Sequence, residues 1–250
     1  MQQLTRISII VVVLLAALFA LSRAPAWFSG EKGGTEERAA QGAGGARAGE
    51  NTPRTALRTP GAPRTLEDLS EATKSFMEGK QTITARLITN RGTVVLSLDA
   101  GRMPLTVGNF VELARGGFYD GVRFHRVIGG FMIQAGDPLT KDESQKARWG
   151  TGGPGYTIKD EFVAGEGLSN VRGTIAMANT GLPDSGGSQF FINVGDNTGL
   201  DFDKPPATSK HPVFGRVVVG MDVVDAIANT ATDAVDRPVE EVVIERIEVE

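Results

Sequence analysis

The feature that most restricts the fold of this chain is a series of short apolar runs, separated by turn residues, from residue 82 to the C-terminus. Runs of this length with such boundaries are typical of strands and too short for most helices. Glycine supplies 32 of the 250 residues, well above its usual share of about 7%, and many of these glycines lie between the runs. The pattern therefore predicts a turn-rich β architecture.

The strand-like runs outnumber the helical ones. Two segments have helical spacing, 104–115 and 221–228, and glycines follow the first of them. Many strands with two isolated helices predict a mainly β fold, specifically a closed antiparallel barrel that is capped by the helices. The predicted strands are 85–89, 94–98, 123–128, 131–135, 174–178, 189–194, 213–219 and 242–249.

The first 22 residues predict an N-terminal hydrophobic helix that directs export. Arg6 precedes an uncharged apolar run, 7–22, which Arg23 closes. As an uncleaved signal anchor, this run would tether the chain to the cell membrane with the rest on the extracytoplasmic side. Alternatively it is a signal peptide, because Ala24-Pro25-Ala26 matches an A-x-A cleavage site, and the mature chain is then periplasmic or secreted.

Three further segments follow. Residues 23–64 contain almost no bulky apolar side chains, so we expect a disordered linker. Residues 65–81 predict a short amphipathic helix that starts at Thr65 and stops at Gly79. Residues 82–250 hold the strands and form the main domain.

Composition excludes several classes of function. The chain has no cysteine and two histidines, so disulfides, thiolate nucleophiles and cysteine zinc sites are excluded, and no metal site is expected. Residues 83–250 carry 16 Lys and Arg against 22 Asp and Glu. This excess of acidic over basic residues gives the region a net negative charge, which does not favour nucleic-acid binding.

Two short motifs are similar to motifs of known enzyme classes, but the surrounding sequence supports neither assignment. Residues 150–155 match the dinucleotide pattern GxGxxG, but no strand precedes them and no helix follows, so a glycine-rich loop is expected. Residues 184–187, DSGG, are similar to a serine-protease nucleophile segment. A serine nucleophile needs a histidine base, and the only histidine in the right chain order is His125, within a predicted strand.

Two longer blocks carry a specific pattern. Residues 124–137 read FHRVIGGFMIQAGD, and residues 176–192 include AMAN and GSQFFI. Both blocks strongly resemble the cyclophilin family of peptidyl-prolyl cis–trans isomerases. Shorter matches occur in order at family-like spacing, and the resemblance covers about residues 83–250. The shorter matches are FYDG at 118–121, GTGG at 150–153, VFGRV at 213–217 and GMD at 220–222.

The resemblance implies an eight-stranded barrel, an isomerase that needs no cofactor, and proline-containing polypeptides as substrates. By the family's pattern Arg126 is the catalytic residue, and Gln134 holds its guanidinium. A fixed cationic donor suits the reaction, because rotation about an Xaa–Pro bond is eased when the prolyl nitrogen lone pair is localised. The implied substrate-binding residues are Phe131, Met132, Gln134, Ala178, Asn179, Gln189, Phe191, Leu200 and His211.

Three expectations complete the prediction. His125 should point to the opposite strand face from Arg126 and play a structural part. Gly199 stands where the family often has tryptophan, so we expect weak recognition of cyclosporin. We also expect a monomer that assists the folding of exported proteins; the alternative is a non-catalytic chaperone module that binds proline peptides on the same barrel.

Overall fold

The computed structural model describes residues 61–163, 165, 167–205 and 210–250. The predicted hydrophobic helix over 1–22 and nearly all of the linker over 23–64 lie outside these residues and stay predictions. Within the part of the chain that is described, no helix combines the length and the apolar character needed to cross a membrane.

Eight strands and three α-helices make up the described domain. The helices are α1 Glu71–Met77, α2 Pro104–Arg115 and α3 Met221–Ala228. Short 3-10 turns occupy Leu66–Asp68, Pro138–Lys141, Glu143–Arg148 and Thr198–Leu200. The strands are β1 Ile83–Thr89, β2 Gly92–Leu98, β3 Arg126–Ile128, β4 Met132–Ala135, β5 Thr174–Met177, β6 Phe190–Asn193, β7 Val213–Val219 and β8 Ile244–Val249.

All eight strands lie in one antiparallel sheet in the order β3-β4-β6-β5-β7-β2-β1-β8. The mainly β prediction is therefore confirmed. Isolated backbone bonds link the chain before β3 to the region of β8: the Phe124 N–H donates to the Val242 carbonyl at 2.9 Å, and the Gly121 N–H donates to the Ile244 carbonyl at 2.8 Å. Closure of a barrel by a continuous ladder stays a prediction.

The predicted strands that begin at 123 and 242 start later than expected. Only a single bridge, Arg123 with Val243, joins these two segments before the regular ladders of β3 and β8 begin. Val242 and Val243 extend the apolar run that leads into β8, and Phe124 lies between the polar residues Arg123 and His125, which is why the sequence pattern extends both strands beyond their hydrogen-bonded ladders.

The core lies between one face of the sheet and α2. This helix begins with Pro104 at its first turn and ends before Gly116, as predicted. Phe110 is buried at its centre, and its ring centroid lies 5.6 Å from that of Phe190 at an interplanar angle of 78°. Edge-to-face packing of this kind fixes α2 against β6.

The segment before β1 differs from the single helix predicted over 65–81. Thr65 caps only the 3-10 turn Leu66–Asp68, and α1 begins after a second cap, Ser70, whose hydroxyl accepts a bond from the Thr73 N–H at 3.3 Å. The single-helix prediction is wrong because two consecutive N-caps divide the segment. Leu69, 3% exposed, fits against α2 where Gly108 has no side chain.

Candidate active site

A second apolar cluster lies apart from the main core, and it contains the predicted pocket residues. Strand alternation separates the two clusters, since Phe190 of β6 points into the main core and Phe191 points into the second cluster. The structure therefore brings four of the residues predicted to bind substrate, Phe131, Met132, Phe191 and Leu200, into one apolar cluster. The buried members are Met132, Ala176, Phe191 and Val213, and the partly buried members are Ile128, Phe131, Leu168, Ala178 and Leu200.

Arg126 lies at one end of a row of residues that crosses neighbouring strands. Arg126 is directly opposite Gln134 in β4, Gln134 is opposite Phe191 in β6, and Phe191 is opposite Ala176 in β5. Residues that are directly opposite in an antiparallel pair share a face of the sheet. The register thus places the arginine on the same face as the second cluster.

The guanidinium of Arg126 is partly exposed and pairs with a residue that the sequence analysis did not select. Its Nε lies 3.7 Å from Oδ2 of Asp236, and 47% of the arginine side chain is exposed. The backbone carbonyl of Asp236 also accepts a hydrogen bond from the Val127 N–H at 2.8 Å. The loop that follows α3 is therefore joined to β3 beside Arg126.

Gln134 has a different partner from the one predicted. Its amide nitrogen donates to Oε1 of Gln189 at 3.0 Å, and Gln189 in turn donates to the carbonyl oxygens of Gly150 and Gly152 at 3.0 and 2.9 Å. Among the described residues, the acid near the guanidinium is Asp236, and the predicted bond from Gln134 to Arg126 is not formed. The two glutamines instead connect β4 to the glycine-rich loop.

Ala178 and Asn179 lie at the border of the second cluster and are held by internal bonds. The Ala178 N–H donates to the Gln189 carbonyl at 2.9 Å. The Asn179 amide donates to the Lys210 carbonyl at 2.6 Å and accepts from the Gly181 N–H at 3.0 Å. These bonds fix the chain that leaves β5 along the edge of the site.

His211 lies beside Phe191 of the second cluster. Its ring lies 5.3 Å from the Phe191 ring in an edge-to-face arrangement at 81°, and its Nδ1 lies 3.1 Å from the Met177 carbonyl oxygen. Burial lowers the pKa of His211 below its ordinary value, although the contact with Met177 acts in the opposite direction. The imidazole is therefore neutral at pH 7 and contributes an apolar wall.

A cavity of about 410 Å³ adjoins the second cluster and shares Ala178 with it; Gln134 and Gln189 also line the cavity. The buried carboxylate of Asp137 fixes the glycine-rich wall of this cavity, because it accepts hydrogen bonds from the N–H groups of Gly150 at 2.5 Å and Gly152 at 3.1 Å. The remaining lining residues are Gly150, Thr151, Gly152, Gly153, Pro154, Tyr156, Thr157, Asn179, Thr180, Ser185, Gly187 and Ser188.

The family model described as cyclophilin type peptidyl-prolyl cis-trans isomerase/CLD matches residues 84–249 of this chain, about two thirds of its length. The chain belongs to this family. The predicted family and enzyme class are thereby confirmed.

Relatives and solved structures agree with this assignment. The chain is similar to the probable peptidyl-prolyl cis-trans isomerase A of Mycobacterium leprae, with 44% identity over 67% of this chain and 92% of the relative. It is similar to isomerase B of Streptomyces anulatus, with 45% identity over 66% of this chain and 95% of the relative. A crystal structure of a Cryptosporidium parvum cyclophilin aligns with a TM-score of 0.57 at 29% identity, covering 68% of this chain and 98% of the other.

The geometry of this cyclophilin also excludes the two alternative motif readings. The N–H groups of Gly150 and Gly152 are bonded to Asp137, so they do not form a phosphate site. The Ser185 hydroxyl donates to the Leu182 carbonyl at 2.7 Å, and both ring nitrogens of His125 have no hydrogen-bond partner among the described residues. In the described part of the chain, no group of His, Asp or Glu has the arrangement of a metal site.

Sequence reasoning missed two residues that shape the cyclophilin site. Asp137 lies in the matching block, directly before the chain segment that leads to the glycine-rich loop, so its position next to that loop was a usable signal. Asp236 is 110 residues from Arg126 along the chain, in a turn after α3. No local pattern connects it to β3, and only the three-dimensional fold brings the two together.

Proposed function

We propose that this cyclophilin accelerates rotation about Xaa–Pro bonds in polypeptides, with Arg126 as the catalytic donor. The observation that supports this most directly is the row from Arg126 through Gln134 to Phe191, with an apolar cluster on the same face. One of the structures similar to this chain is a cyclophilin studied in the presence of the dipeptide Ala-Pro.

In the proposed mechanism, Arg126 at the charged end of the row stabilises the twisted peptide bond, and the residues at the apolar end bind the proline ring. The barrier to rotation, about 18–20 kcal/mol, comes from amide resonance. A guanidinium N–H directed at the prolyl nitrogen stabilises the twisted bond more than the planar one, and this difference is what accelerates the reaction. Arginine carries donors and no basic site, so the peptide bond is twisted without being hydrolysed.

The apolar end holds the ring. Phe131, Met132, Phe191 and Leu200 belong to the second cluster, and a proline ring buried against them would be fixed while the preceding peptide turns. Ala178, Asn179 and Gln189 would hold the substrate chain, and His211 would close the rim.

The wild-type protein should catalyse prolyl isomerisation of a capped Ala-Pro peptide. We expect exchange between the cis and trans signals, measured by NMR, to be accelerated at least 100-fold over the free peptide at micromolar enzyme, with kcat/KM constant between about pH 7 and 8.5. A flat profile is expected because His211 is neutral in this range and arginine stays protonated.

Background exchange rates would instead support the non-catalytic chaperone that binds proline peptides. A bell-shaped pH profile would contradict a mechanism without a titrating acid or base.

We also propose that this isomerase acts as a monomer on exported proteins as they fold, from a membrane anchor formed by residues 1–22. The support is the uncharged run 7–22 and the following linker composition. Fractionation of cells that express the full chain, with N-terminal sequencing and protease treatment of intact cells or spheroplasts, is the test. We expect an uncleaved, protease-accessible membrane protein. Cleavage after Ala26 would favour the periplasmic or secreted form, and a cytoplasmic, protected chain would contradict export.

A further inference from the structure

The segment that precedes the family match at residue 84 is built into the wall of the cavity beside the cyclophilin site. The Arg64 N–H donates to the Thr157 carbonyl at 2.7 Å, and the Lys159 N–H donates to the Arg64 carbonyl at 2.9 Å. These two bonds form a parallel bridge between Arg64 and Ile158. The chain next to Tyr156 and Thr157, which line the cavity, is therefore paired with a residue outside the family domain.

The Arg64 side chain is held in one position by three contacts. Its guanidinium carbon lies 4.4 Å from the centre of the Tyr156 ring. One terminal nitrogen donates to Oε1 of Glu112 at 2.8 Å and to the Asp68 carbonyl at 2.5 Å. Only 12% of the arginine side chain is exposed, so these contacts are better protected from solvent than those of a surface ion pair.

Glu112 connects Arg64 to α2. Its other carboxylate oxygen accepts a bond from the Ser70 N–H at 2.7 Å, so one carboxylate holds both ends of the 3-10 turn over Leu66–Asp68. A rigid helix thus serves as the support on which Arg64 is fixed.

Tyr156 connects Arg64 to the cavity. Its ring lies under the Arg64 guanidinium on one side and belongs to the cavity lining. The Tyr156 hydroxyl donates to Oδ1 of Asn109 at 2.9 Å, and the Asn109 amide donates to the Gly187 carbonyl at 2.7 Å. Gly187 is also a lining residue, so a displacement of Tyr156 would alter two parts of the cavity.

We propose that Arg64 is a positioning residue for substrate binding, acting through Tyr156 and the 157–159 backbone to set the shape of the cavity that receives residues flanking the proline. This inference rests on the proposed isomerase function. The Arg64 side chain contacts Tyr156, Glu112 and Asp68, and none of these three residues belongs to the second cluster. Its effect should therefore depend on the length of the peptide.

The test compares two substrates in wild type and Arg64→Ala. One is a capped Ala-Pro dipeptide, and the other carries four more residues on each side, about 13 Å of extended chain per side. In the wild type, the longer peptide should have the lower KM. In Arg64→Ala, the ratio of the dipeptide KM to the longer-peptide KM should decrease at least fivefold, toward one. The kcat for the longer peptide should stay within twofold of the wild-type value. Arg64→Lys, which keeps a cation beside Glu112, should restore part of the ratio.

Arg172→Ala is the matched control, since Arg172 also bonds a helix carboxylate, Asp225, and a backbone carbonyl, that of Val194, but does not touch the cavity. It should leave the ratio at the wild-type value. An unchanged ratio in Arg64→Ala, or an equal rise of KM for both peptides, would overturn the positioning role.

Two further outcomes are informative. If Arg64→Ala does not fold, Glu112→Gln, which weakens the same support, should lower the ratio, and an unchanged ratio there would overturn the proposal. A wild type that turns over neither peptide would refute the proposed isomerase function, a result distinct from failure of the Arg64 inference.

Discussion

Arg126→Ala is expected to lower kcat/KM for an Ala-Pro peptide by about 100- to 1000-fold, the usual effect of removing one donor that stabilises a transition state. The loss should fall on kcat, with KM changed less than about threefold, because the donor is proposed to act on the twisted bond and not on the ground state. The Arg126 side chain is 47% exposed, so its removal leaves no buried cavity and the fold should be retained. NMR exchange rates over a range of peptide concentrations give both constants.

Two control variants separate catalysis from structure. Asp236→Asn removes the carboxylate charge that lies 3.7 Å from the Arg126 Nε, while asparagine tolerates the positive φ of 65° at this position. If Arg126 serves only to hold the loop after α3, Asp236→Asn should be as damaging as Arg126→Ala. We expect it to stay within about threefold of wild type. A two- to threefold loss in Arg126→Ala itself would refute the catalytic role.

The second control concerns the apolar end of the row. Phe131 is partly buried at the border of the second cluster, so Phe131→Ala should loosen the grip on the proline ring and raise KM more than it lowers kcat. The proposed mechanism requires that Arg126→Ala changes mainly kcat and that Phe131→Ala changes mainly KM. Equal effects on kcat in both variants would favour a purely structural origin.

The sequence was sufficient for the parts of the fold that local patterns determine. The helix over 104–115 is bounded by Pro104 and Gly116, and the structure has it over Pro104–Arg115. The apolar site residues were implied by the family resemblance, and the alternation of β6 explains their placement, because the adjacent residues Phe190 and Phe191 point to opposite faces.

The parts that could not be predicted depend on contacts between distant segments. A glutamine amide can bond many partners, and the choice of Gln189 by Gln134 depends on where the glycine-rich loop lies. The same is true of Arg64, which was assigned to a disordered linker from composition alone. Its bonds to Glu112 and Thr157 exist only once α2 and the cavity wall are in place.

His125, the neighbour of Arg126, is expected to make the protein pH-sensitive in stability. Its side chain is 5% exposed, and both ring nitrogens have no hydrogen-bond partner among the described residues. Burial lowers the pKa of His125 to about 4; the Asp137 carboxylate acts against this shift, and the positive charges of Arg126 and Arg237 add to it. Between about pH 6.5 and 4 the imidazole of the folded protein is therefore mostly neutral, whereas that of the unfolded chain is mostly protonated.

The sign of the effect follows from proton binding. Between about pH 6.5 and 4 the unfolded chain binds a proton at this residue and the folded chain does not, so the free energy of unfolding decreases as the pH falls. A pKa lowered from 6.5 to about 4 corresponds to about 3 kcal/mol at 1.36 kcal/mol per unit. This stability is fully present above about pH 6.5 and lost by about pH 4.

The measurement is urea unfolding of wild type and His125→Leu at pH 7.5 and pH 4. An apolar side chain at this position removes two unpartnered buried nitrogens, so the variant should fold at pH 7.5. The wild type should lose about 3 kcal/mol more than the variant between the two pH values, since the carboxylates and His211 are common to both proteins. Equal losses of unfolding free energy in the two proteins would mean that His125 is protonated in the folded state at pH 4, which would contradict the lowered pKa.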